Sequence, residues 1–365
     1  MKVLQVGKFY HPYKGGMETY LRELCLGLKG KVDLEALVSN TSRRTLRETV
    51  EGVEVVRAGC WGKISATSLC PEFPALLKKL AGDIVQIQHP DPLSGLSYLL
   101  ARPRGELVIV YQSDIIRKRL IYAYYPFLRV FFRRARKVIV TSRQYLESSW
   151  FLKRFRDKCA IIPIGIDPAP YRLTPEVEAR AAAVRRKFGE RIVLFIGRLA
   201  LYKGLEYLVE AMAAVEGKLL VIGRGERLDP LLRQAARRDL VDKVFFLGEV
   251  PEEEISAYLH ACAVFCLPSI TRNEAFGICQ LEAFACSKPV VNTRLDTGVS
   301  FINQDGVTGL SAPPRDAAAL SAALNRLLDS PALREKMGAA AQERLESVFS
   351  REAMVRTTLE LYESL

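Results

Sequence analysis

The chain has 365 residues, of which 49% are hydrophobic and 26% charged, and its formal net charge at pH 7 is +12. This composition excludes a disordered, collagen-like or polytopic membrane protein, and the length predicts two or three domains. The positive charge indicates an anionic partner: nucleic acid, a phosphorylated small molecule or a membrane surface.

Short apolar runs in the first half predict the strands of an α/β protein. They are Val3–Val6, Leu34–Val38, Val53–Val56, Ile84–Gln88, Leu107–Tyr111, Lys137–Thr141 and Ala160–Ile164. Helical patterns separate several of these runs. After the first strand, for example, Met17, Leu21, Leu24 and Leu28 recur at helical spacing. Strands that alternate with helices indicate a parallel sheet with crossover connections.

A segment rich in proline and glycine, residues 163–170, predicts a linker, and a polar helix is predicted after it over 175–188. Further strands are predicted at Ile192–Ile196, Leu219–Ile222, Val244–Leu247, Val264–Leu267 and Val290–Asn292, and 316–363 is predicted to be helical. We therefore expect two α/β domains, 1–168 and 169–350, with a ligand cleft at the carboxyl ends of their parallel strands.

The eight cysteines and three histidines show no metal-binding pattern. No C-x-x-C pair occurs, so a zinc site is not expected, and most of the cysteines lie among apolar residues, as reduced core thiols do. The first residues lack a signal-peptide pattern, and no run of about 18 apolar residues occurs. We expect a cytoplasmic protein, with peripheral attachment to the inner face of the cell membrane as an open alternative.

Two glycine-rich loops are candidate phosphate sites. Gly15 and Gly16 precede a predicted helix whose N–H groups can bind an anion, although a simple turn is an equally good interpretation. Arg198 and Lys203 lie in the stretch G-R-L-A-L-Y-K-G, at the carboxyl end of a predicted strand. Two such cations suit a diphosphate, and we favour this interpretation over two solvated charges.

Two carboxylates, Glu274 and Glu282, follow a later strand. Eight positions along a helix rise about 12 Å, which exceeds the roughly 5–9.5 Å between the carboxylates of glycoside hydrolases. Two separate hydrogen-bonding roles on one elongated ligand fit better. Glu282 lies in an almost wholly apolar predicted helix, where a carboxylate needs a partner, and a buried salt bridge is the structural alternative. Phe276, Gly277 and Ile278 are predicted to begin that helix.

These motifs together resemble retaining, nucleotide-sugar-dependent glycosyltransferases of family 4, which have the GT-B architecture. The resemblance rests on the Gly15-Gly16 loop, G-R-L-x-x-x-K-G, E-x7-E and the strand end F-L-G-E-V at 246–250. The stretches 292–299 and 305–310 look most like bacterial rhamnosyl- and mannosyltransferases of O-antigen and polysaccharide assembly. A UDP-sugar-dependent glucosyl- or galactosyltransferase is the nearest alternative, and a non-catalytic nucleotide- or sugar-binding protein is a more distant one.

The resemblance implies a role for each matching position. Arg198 and Lys203 would bind the donor diphosphate, Glu282 the ribose hydroxyls and Glu274 the transferred sugar. The implied backbone contacts to the donor come from Gly15, Gly16, Gly223, Arg224, Val250, Phe276, Gly277 and Ile278. The last helix, about 351–363, would cross back onto the first domain. No cofactor is implied, and because no D-x-D motif occurs we expect no required metal.

One position departs from the family pattern. Members often carry a histidine after the strand equivalent to 107–111, whereas this chain has Gln112, which hydrogen-bonds but does not gain a proton as imidazole does. His89 is the nearest candidate substitute, although a structural role is more common for a lone histidine. Asp114 is a further candidate on the acceptor side.

The charge is concentrated in the first half. Residues 1–172 hold 29 Lys and Arg against 15 Asp and Glu, whereas 173–365 hold 24 against 26. Aromatic and basic residues alternate over 115–137, which suits nucleic acid or an anionic bilayer, while a crossover helix with solvated charges is the structural alternative. With the resemblance, we expect a membrane surface and a glycan or lipid-linked acceptor here, and no nucleic acid.

Overall fold

A computed structural model describes residues 1–64, 67–115 and 118–365, without the side chains of 118–123. The chain divides into two compact units, 1–165 with 351–365, and 166–350. The first boundary lies three residues before the end of the predicted first domain. Among the described residues, no helix combines the length and the apolar character that crossing a bilayer requires.

The first unit is an α/β unit built around a largely parallel sheet. Its strands are β1 Lys2–Val6, β2 Asp33–Ser39, β3 Leu46–Val50, β4 Val53–Ala58, β5 Gly62–Ile64, β6 Thr67–Leu69, β7 Ile84–His89, β8 Glu106–Tyr111, β9 Lys137–Val140 and β10 Cys159–Ile161. Its helices up to residue 165 are α1 Gly16–Leu28, α2 Phe73–Leu80, α3 Pro92–Ala101, α4 Lys118–Arg134 and α5 Arg143–Ser148. The sheet order is β10-β9-β8-β7-β1-β2-β4-β3, with only β3 antiparallel to its neighbour within the described residues.

The second unit repeats this architecture with a fully parallel sheet in the order β13-β12-β11-β14-β15-β16. Its strands are β11 Ile192–Ile196, β12 Lys218–Ile222, β13 Val244–Gly248, β14 Val264–Leu267, β15 Val290–Thr293 and β16 Gly309–Ala312. Its helices are α6 Pro175–Phe188, α7 Leu205–Ala211, α8 Leu228–Arg237, α9 Glu252–Ala261, α10 Cys279–Ala285, α11 Gly298–Ile302, α12 Ala317–Leu328 and α13 Pro331–Val348. Burial on both faces explains the continuous apolar runs of the central strands.

The predicted strands agree with the structure, but four short ones are absent from the prediction. β3 is an exposed edge strand with the sequence L-R-E-T-V, and β5 and β6 form a small separate hairpin. β16 contains only Gly309–Ala312. Because these segments are short or polar, they carry little hydrophobic periodicity.

The last helix, α14 Arg351–Glu363, belongs to the first unit and completes a buried hydrogen-bonded ring there. The Tyr362 hydroxyl donates to Gln86 Oε1 at 2.7 Å, Gln86 Nε2 donates to Gln5 Oε1 at 3.0 Å, and Gln5 Nε2 donates to the Tyr362 oxygen at 2.9 Å. Gln5 and Gln86 lie on the adjacent central strands β1 and β7. The returning helix thus satisfies two polar side chains in the middle of the sheet.

We predict that Tyr362→Phe lowers the free energy of unfolding by about 1–3 kcal/mol, because it leaves a buried carboxamide oxygen without its donor. Chemical denaturation followed by circular dichroism measures the change. Tyr13→Phe is the matched control, since the Tyr13 side chain is exposed. Equal stabilities of the two variants would contradict the role of the ring.

Candidate functional site

The candidate site of the second unit lies between β11 and β14, where the order of the strands in the sheet reverses. The chain runs outward from β11 to β12 and β13 on one side, and from β14 to β15 and β16 on the other. Lys203 follows β11, and Glu274 follows β14. Because ligands of open α/β sheets bind at the carboxyl ends of the strands flanking such a switch point, these two residues stand at the expected place.

Lys203 and Glu274 form a buried ion pair. The distance from Lys203 Nζ to Glu274 Oε2 is 2.6 Å, and the two side chains are 9% and 10% exposed. The Ser269 hydroxyl, also buried, donates to the same carboxylate oxygen at 3.0 Å. Burial alone lowers the pKa of Lys203, but the Glu274 carboxylate outweighs that effect and holds the pKa above its ordinary value. Lys203 therefore carries its positive charge at every physiological pH.

Backbone contacts bring the two loops together. Ile270 N donates to Tyr202 O at 2.8 Å, so the loop after β14 lies directly on the turn that carries Lys203. Gly204 occupies the left-handed region with φ 65°, and a Cβ there would lie 2.3 Å from Pro268 O. The glycine that ends G-R-L-A-L-Y-K-G is thus required by close approach of the two loops.

Arg198 lies near this pair but is exposed. Its Nη2 atom is 3.2 Å from Glu226 Oε2, and the two side chains are 68% and 56% exposed. An ion pair in water contributes little to stability, so the guanidinium can exchange Glu226 for an anionic ligand. Arg224 and Glu249 form a similar exposed contact at 3.7 Å.

The Glu274–Glu282 stretch is not one helix, which corrects the sequence prediction. Glu274 lies in the loop, Phe276 and Gly277 precede the helix, and α10 begins at Cys279, directly after Ile278. Glu282 is only half-buried, whereas the sequence predicted a carboxylate enclosed by an apolar helix. The buried carboxylate that requires a cation is therefore Glu274.

Buried amides fix the start of α10. Asn292 Nδ2 donates to Gln280 Oε1 at 3.1 Å and to Val299 O at 3.0 Å. These side chains tie α10 to β15 and α11. Glu282, two residues after Gln280 on α10, is thereby held in a defined position.

Gly223 directly follows the carboxyl end of β12, the strand that pairs with β11. A Cβ on Gly223, whose φ is 131°, would lie 2.1 Å from Gly197 O, so only glycine allows the two strand ends to approach. Gly223 N donates to Gly248 O at 2.7 Å, which places the loop that contains Val250 next to it. The strand ends that carry Gly223 and Val250, both predicted to contact the donor, are thus adjacent.

In the first unit, α1 begins at Gly16 with Gly15 as its N-cap residue, and both glycines are exposed. His89 is buried between Tyr111, stacked at 4.8 Å between ring centroids, and Phe132, edge-on at 5.3 Å. Burial lowers the pKa of His89 to about 3, although Asp114 opposes the shift. His89 is therefore a neutral, structural member of an aromatic cluster at neutral pH.

Gln112 and Asp114 differ in their surroundings. Within the described residues, the buried Gln112 carboxamide has no hydrogen-bond partner for either its oxygen or its nitrogen. Asp114 Oδ1, in contrast, accepts hydrogen bonds from Tyr111 Oη at 2.7 Å and Ser149 Oγ at 2.9 Å. Gln112 is thus the group with unused hydrogen-bonding capacity, while Asp114 orders its own loop.

Ser269 and Tyr202 also lie at the site, although neither is among the site residues predicted from the sequence. Ser269 binds Glu274 directly, and Tyr202 lies in electrostatic contact with Arg198, Lys203 and Glu274. Tyr202 lies within the stretch G-R-L-A-L-Y-K-G, and Ser269 lies 5 residues before Glu274, but serine and tyrosine are common in loops. Their role depends on the contact between two loops that are distant in sequence.

The predicted basic surface is described only in part. Residues 116–117 and the side chains of 118–123 lie outside the described residues. In the remainder, Tyr125 stacks on Trp150 at 5.6 Å, and Arg154 lies 5.9 Å from both ring centroids. Phe127, Val130 and Trp150 are exposed large apolar side chains.

Comparison with known proteins decides the family. Residues 178–344 match the family Glycosyl transferases group 1, and residues 14–170 match Glycosyltransferase Family 4. The O-antigen chain mannosyltransferase C of Escherichia coli is 30% identical over 370 residues, covering 100% of this chain and 99% of the relative. The chain belongs to the group 1/family 4 glycosyltransferases. D-rhamnosyltransferase WbpZ of Pseudomonas aeruginosa is 32% identical, covering 95% of this glycosyltransferase and 92% of the relative.

Solved structures share the fold of this glycosyltransferase. Sucrose-phosphate synthase from Thermosynechococcus elongatus superposes with a TM-score of 0.82 at 24% identity, covering 100% of this chain and 99% of the other. Anabaena HepE in complex with UDP gives a TM-score of 0.80 at 19% identity, covering both chains fully. Both findings support the GT-B architecture of two Rossmann-like units.

We predict that Glu274→Gln lowers the free energy of unfolding by about 3–5 kcal/mol, because it leaves the buried Lys203 ammonium unpaired. The pKa of Lys203 then falls, since burial is no longer opposed by the carboxylate. Chemical denaturation measures the first effect, and the pH titration of the lysine ε-resonance measures the second. The control Glu226→Gln breaks an exposed pair and should change stability by at most about 1 kcal/mol; an equal loss in both variants would refute the prediction.

We predict that His89 makes stability fall with acidity. The pKa of His89 is 6.5 in the unfolded chain and about 3 in the folded chain. Below pH 6.5 the unfolded chain therefore binds a proton that the folded chain does not bind, and the free energy of unfolding declines as the pH falls. The loss attributable to His89 between pH 7 and pH 5 is about 2 kcal/mol. It equals the difference between the denaturation profiles of the wild type and His89→Phe, with the half-buried His11→Gln as control. Parallel profiles of the wild type and His89→Phe would contradict a neutral buried imidazole.

Proposed function

We propose that this glycosyltransferase moves mannose, or a deoxymannose such as rhamnose, from a GDP-sugar to a glycan or lipid-linked acceptor in bacterial O-antigen or polysaccharide assembly. The buried Lys203–Glu274 pair at the switch point is the observation that carries the proposal, because it places a fixed cation and a fixed carboxylate side by side. The sugar and the pathway are favoured by the full-length relatives, which are named as an O-antigen mannosyltransferase and a D-rhamnosyltransferase.

The proposed roles follow from the positions of the charges. Lys203 and Arg198 stabilise the charge that develops on the departing diphosphate, and Lys203 requires no reorganisation because Glu274 already holds it. Both described contacts of the Glu274 carboxylate use Oε2, which leaves Oε1 for the hydroxyls of the transferred sugar. Glu282 binds the ribose, while the strand ends with Gly223, Arg224 and Val250 surround the base.

We propose further that transfer retains the anomeric configuration and needs no metal. The bond from the anomeric carbon to the diphosphate breaks, the acceptor oxygen bonds on the same face, and its proton passes to the leaving phosphate. No protein base is then necessary, which fits glutamine at position 112 and the low pKa of His89. Lys203 and Arg198 supply the positive charge that a metal supplies in other transferases.

On the acceptor side, we propose that Gly15 and Gly16 approach the phosphates and that Gln112 hydrogen-bonds a substrate hydroxyl. Its carboxamide offers one acceptor and one donor group without a described partner. The exposed aromatic and basic cluster around Trp150 suits an anionic membrane surface near a lipid-linked acceptor.

We predict that Lys203→Ala and Glu282→Ala each lower the transfer rate by about 10²–10³-fold, the usual effect of removing one preorganised electrostatic or hydrogen-bonding group. The assay measures transfer of radiolabelled sugar from GDP-mannose, GDP-rhamnose, UDP-glucose and UDP-galactose to lipid extracts. NMR of the product assigns its anomeric configuration, and a parallel reaction in EDTA tests whether transfer needs a metal.

Exposed residues provide the matched controls for this assay. Lys336→Ala and Glu343→Ala remove the same charges from exposed positions of α13 and should leave transfer unchanged. Circular dichroism confirms that each variant is folded. Near-normal transfer by Lys203→Ala or Glu282→Ala would refute the site, and preference for UDP-sugars would refute the GDP-sugar assignment alone.

A further inference from the structure

Arg344, on α13, is a cation held by carbonyl oxygens and aromatic rings. Its Nη2 atom donates to Phe301 O at 2.7 Å, and its Nε atom donates to Ile302 O at 3.0 Å. The guanidinium carbon lies 5.3 Å from the centroid of the Phe301 ring and 5.2 Å from that of the Phe349 ring. Within the part of the chain that the structure describes, no carboxylate pairs with this half-buried cation, and burial lowers the pKa of its guanidinium. Burying a cation costs free energy, so these carbonyl and ring contacts have to offset the loss of water.

The carbonyls that Arg344 binds belong to the last two residues of α11, a helix of five residues. Isolated helices shorter than about 12 residues are marginal in water, so α11 depends on neighbouring side chains to hold its place. A helix ends in carbonyl oxygens with partial negative charge, and a cation there stabilises them. Arg344 therefore fixes the carboxyl end of α11, and the Phe349 ring supports it by packing edge-on against Phe301 at 5.4 Å between centroids.

The amino end of α11 contacts the site loop, by which we mean residues 274–278. Gly298 N donates to Ala275 O at 2.8 Å. A Cβ on Gly298 would lie 2.3 Å from Phe276 Cδ2, so the Phe276 ring packs directly on the backbone of α11. The same ring lies edge-on to Phe349 at 6.1 Å between centroids. One packed cluster thus connects the guanidinium on α13 to the loop that carries the buried carboxylate of the site.

We propose that Arg344 is a positioning residue for sugar transfer: acting through α11 and Phe349, it sets the position of the site loop and thereby of the Glu274 carboxylate. This role rests on the proposed function, in which Glu274 holds the transferred sugar. Arg344 itself contacts no substrate in this proposal. A misplacement of about 1 Å at a reacting centre lowers a rate by as much as about 100-fold, so we expect a smaller relaxation of the loop to lower turnover about tenfold.

A second arginine on the same helix provides a matched control. Arg334 Nη1 donates to Leu327 O at 2.7 Å and to Leu328 O at 2.8 Å, the last two carbonyls of α12, and Arg334 is also half-buried. Arg191, directly before β11, donates to the same Leu328 oxygen at 3.2 Å. Arg334 therefore binds a helix end at the amino-terminal edge of the sheet, opposite the site. Arg334→Met removes the same kind of contact without reaching the site loop.

The first test compares Arg344→Met, Arg334→Met and the wild type with the nucleotide sugar that the wild type uses. We expect Arg344→Met to lower kcat about tenfold with little change in the KM for the donor, because the misplaced carboxylate acts mainly in the transition state. Arg334→Met should leave both constants unchanged. Arg344→Lys, which keeps a cation at the end of α11, should recover part of kcat. Chemical denaturation establishes that every variant is folded at the assay temperature.

The second test needs no substrate. Hydrogen–deuterium exchange followed by mass spectrometry measures the opening of peptides that contain 275–283 and 298–303. We expect these amides to exchange about fivefold faster in Arg344→Met than in the wild type, because the hydrogen bond from Gly298 N to Ala275 O opens more often. In Arg334→Met they should exchange at the wild-type rate.

Three outcomes would overturn the proposal: equal kcat in the two methionine variants, wild-type exchange in the site loop of Arg344→Met, and no recovery of kcat in Arg344→Lys. Near-normal transfer by Lys203→Ala refutes the proposed site, whereas near-normal transfer by Arg344→Met alone refutes only the positioning role. Preference of the wild type for UDP-sugars leaves the positioning role intact, because every variant is compared with the wild type on the same donor.

Discussion

The buried contact between Lys203 and Glu274 is the constraint on which the functional half of the molecule depends. Each side chain is only about 10% exposed, and a single unpaired charge at that burial would be strongly destabilising. The pair forms because the loops after β11 and β14, on either side of the switch point, bring Lys203 Nζ to 2.6 Å from Glu274 Oε2. That approach requires the glycine at 204, the backbone contact between Ile270 and Tyr202, and the Ser269 hydroxyl. Geometry and charge are thereby fixed before any ligand arrives.

Both units bury charged as well as neutral polar groups. The first unit buries the Glu23 carboxylate, which pairs with Arg351, and it also buries two neutral groups at the ends of its central strands, the Gln112 carboxamide and the uncharged imidazole of His89. A neutral carboxamide suits a sugar hydroxyl, and the fixed charge of Lys203 suits a phosphate. This difference agrees with the proposal that the second unit holds the diphosphate and that Gln112 hydrogen-bonds a substrate hydroxyl.

In the proposed function the net charge has little to do with the diphosphate. Arg198 and Lys203 are proposed to neutralise a leaving group held at close range, whereas the excess cations of the first half accompany exposed aromatic and aliphatic side chains. Around Trp150, arginine lies over an aromatic ring at the surface. Charge spread over exposed rings suits a broad anionic surface better than one small ligand.

The sequence alone determined the α/β class, the long buried strands, the helix spacing and the motifs around Arg198, Lys203, Glu274 and Glu282, because these follow from local periodicity and residue type. Tertiary structure alone decided that Lys203 is paired with Glu274, that Glu274 lies outside the helix and Glu282 is half-buried, and that His89 is enclosed by aromatic rings. These facts depend on contacts between loops and strands distant in sequence. No local pattern records such a contact, since burial and the pKa of a group are set by what packs against it.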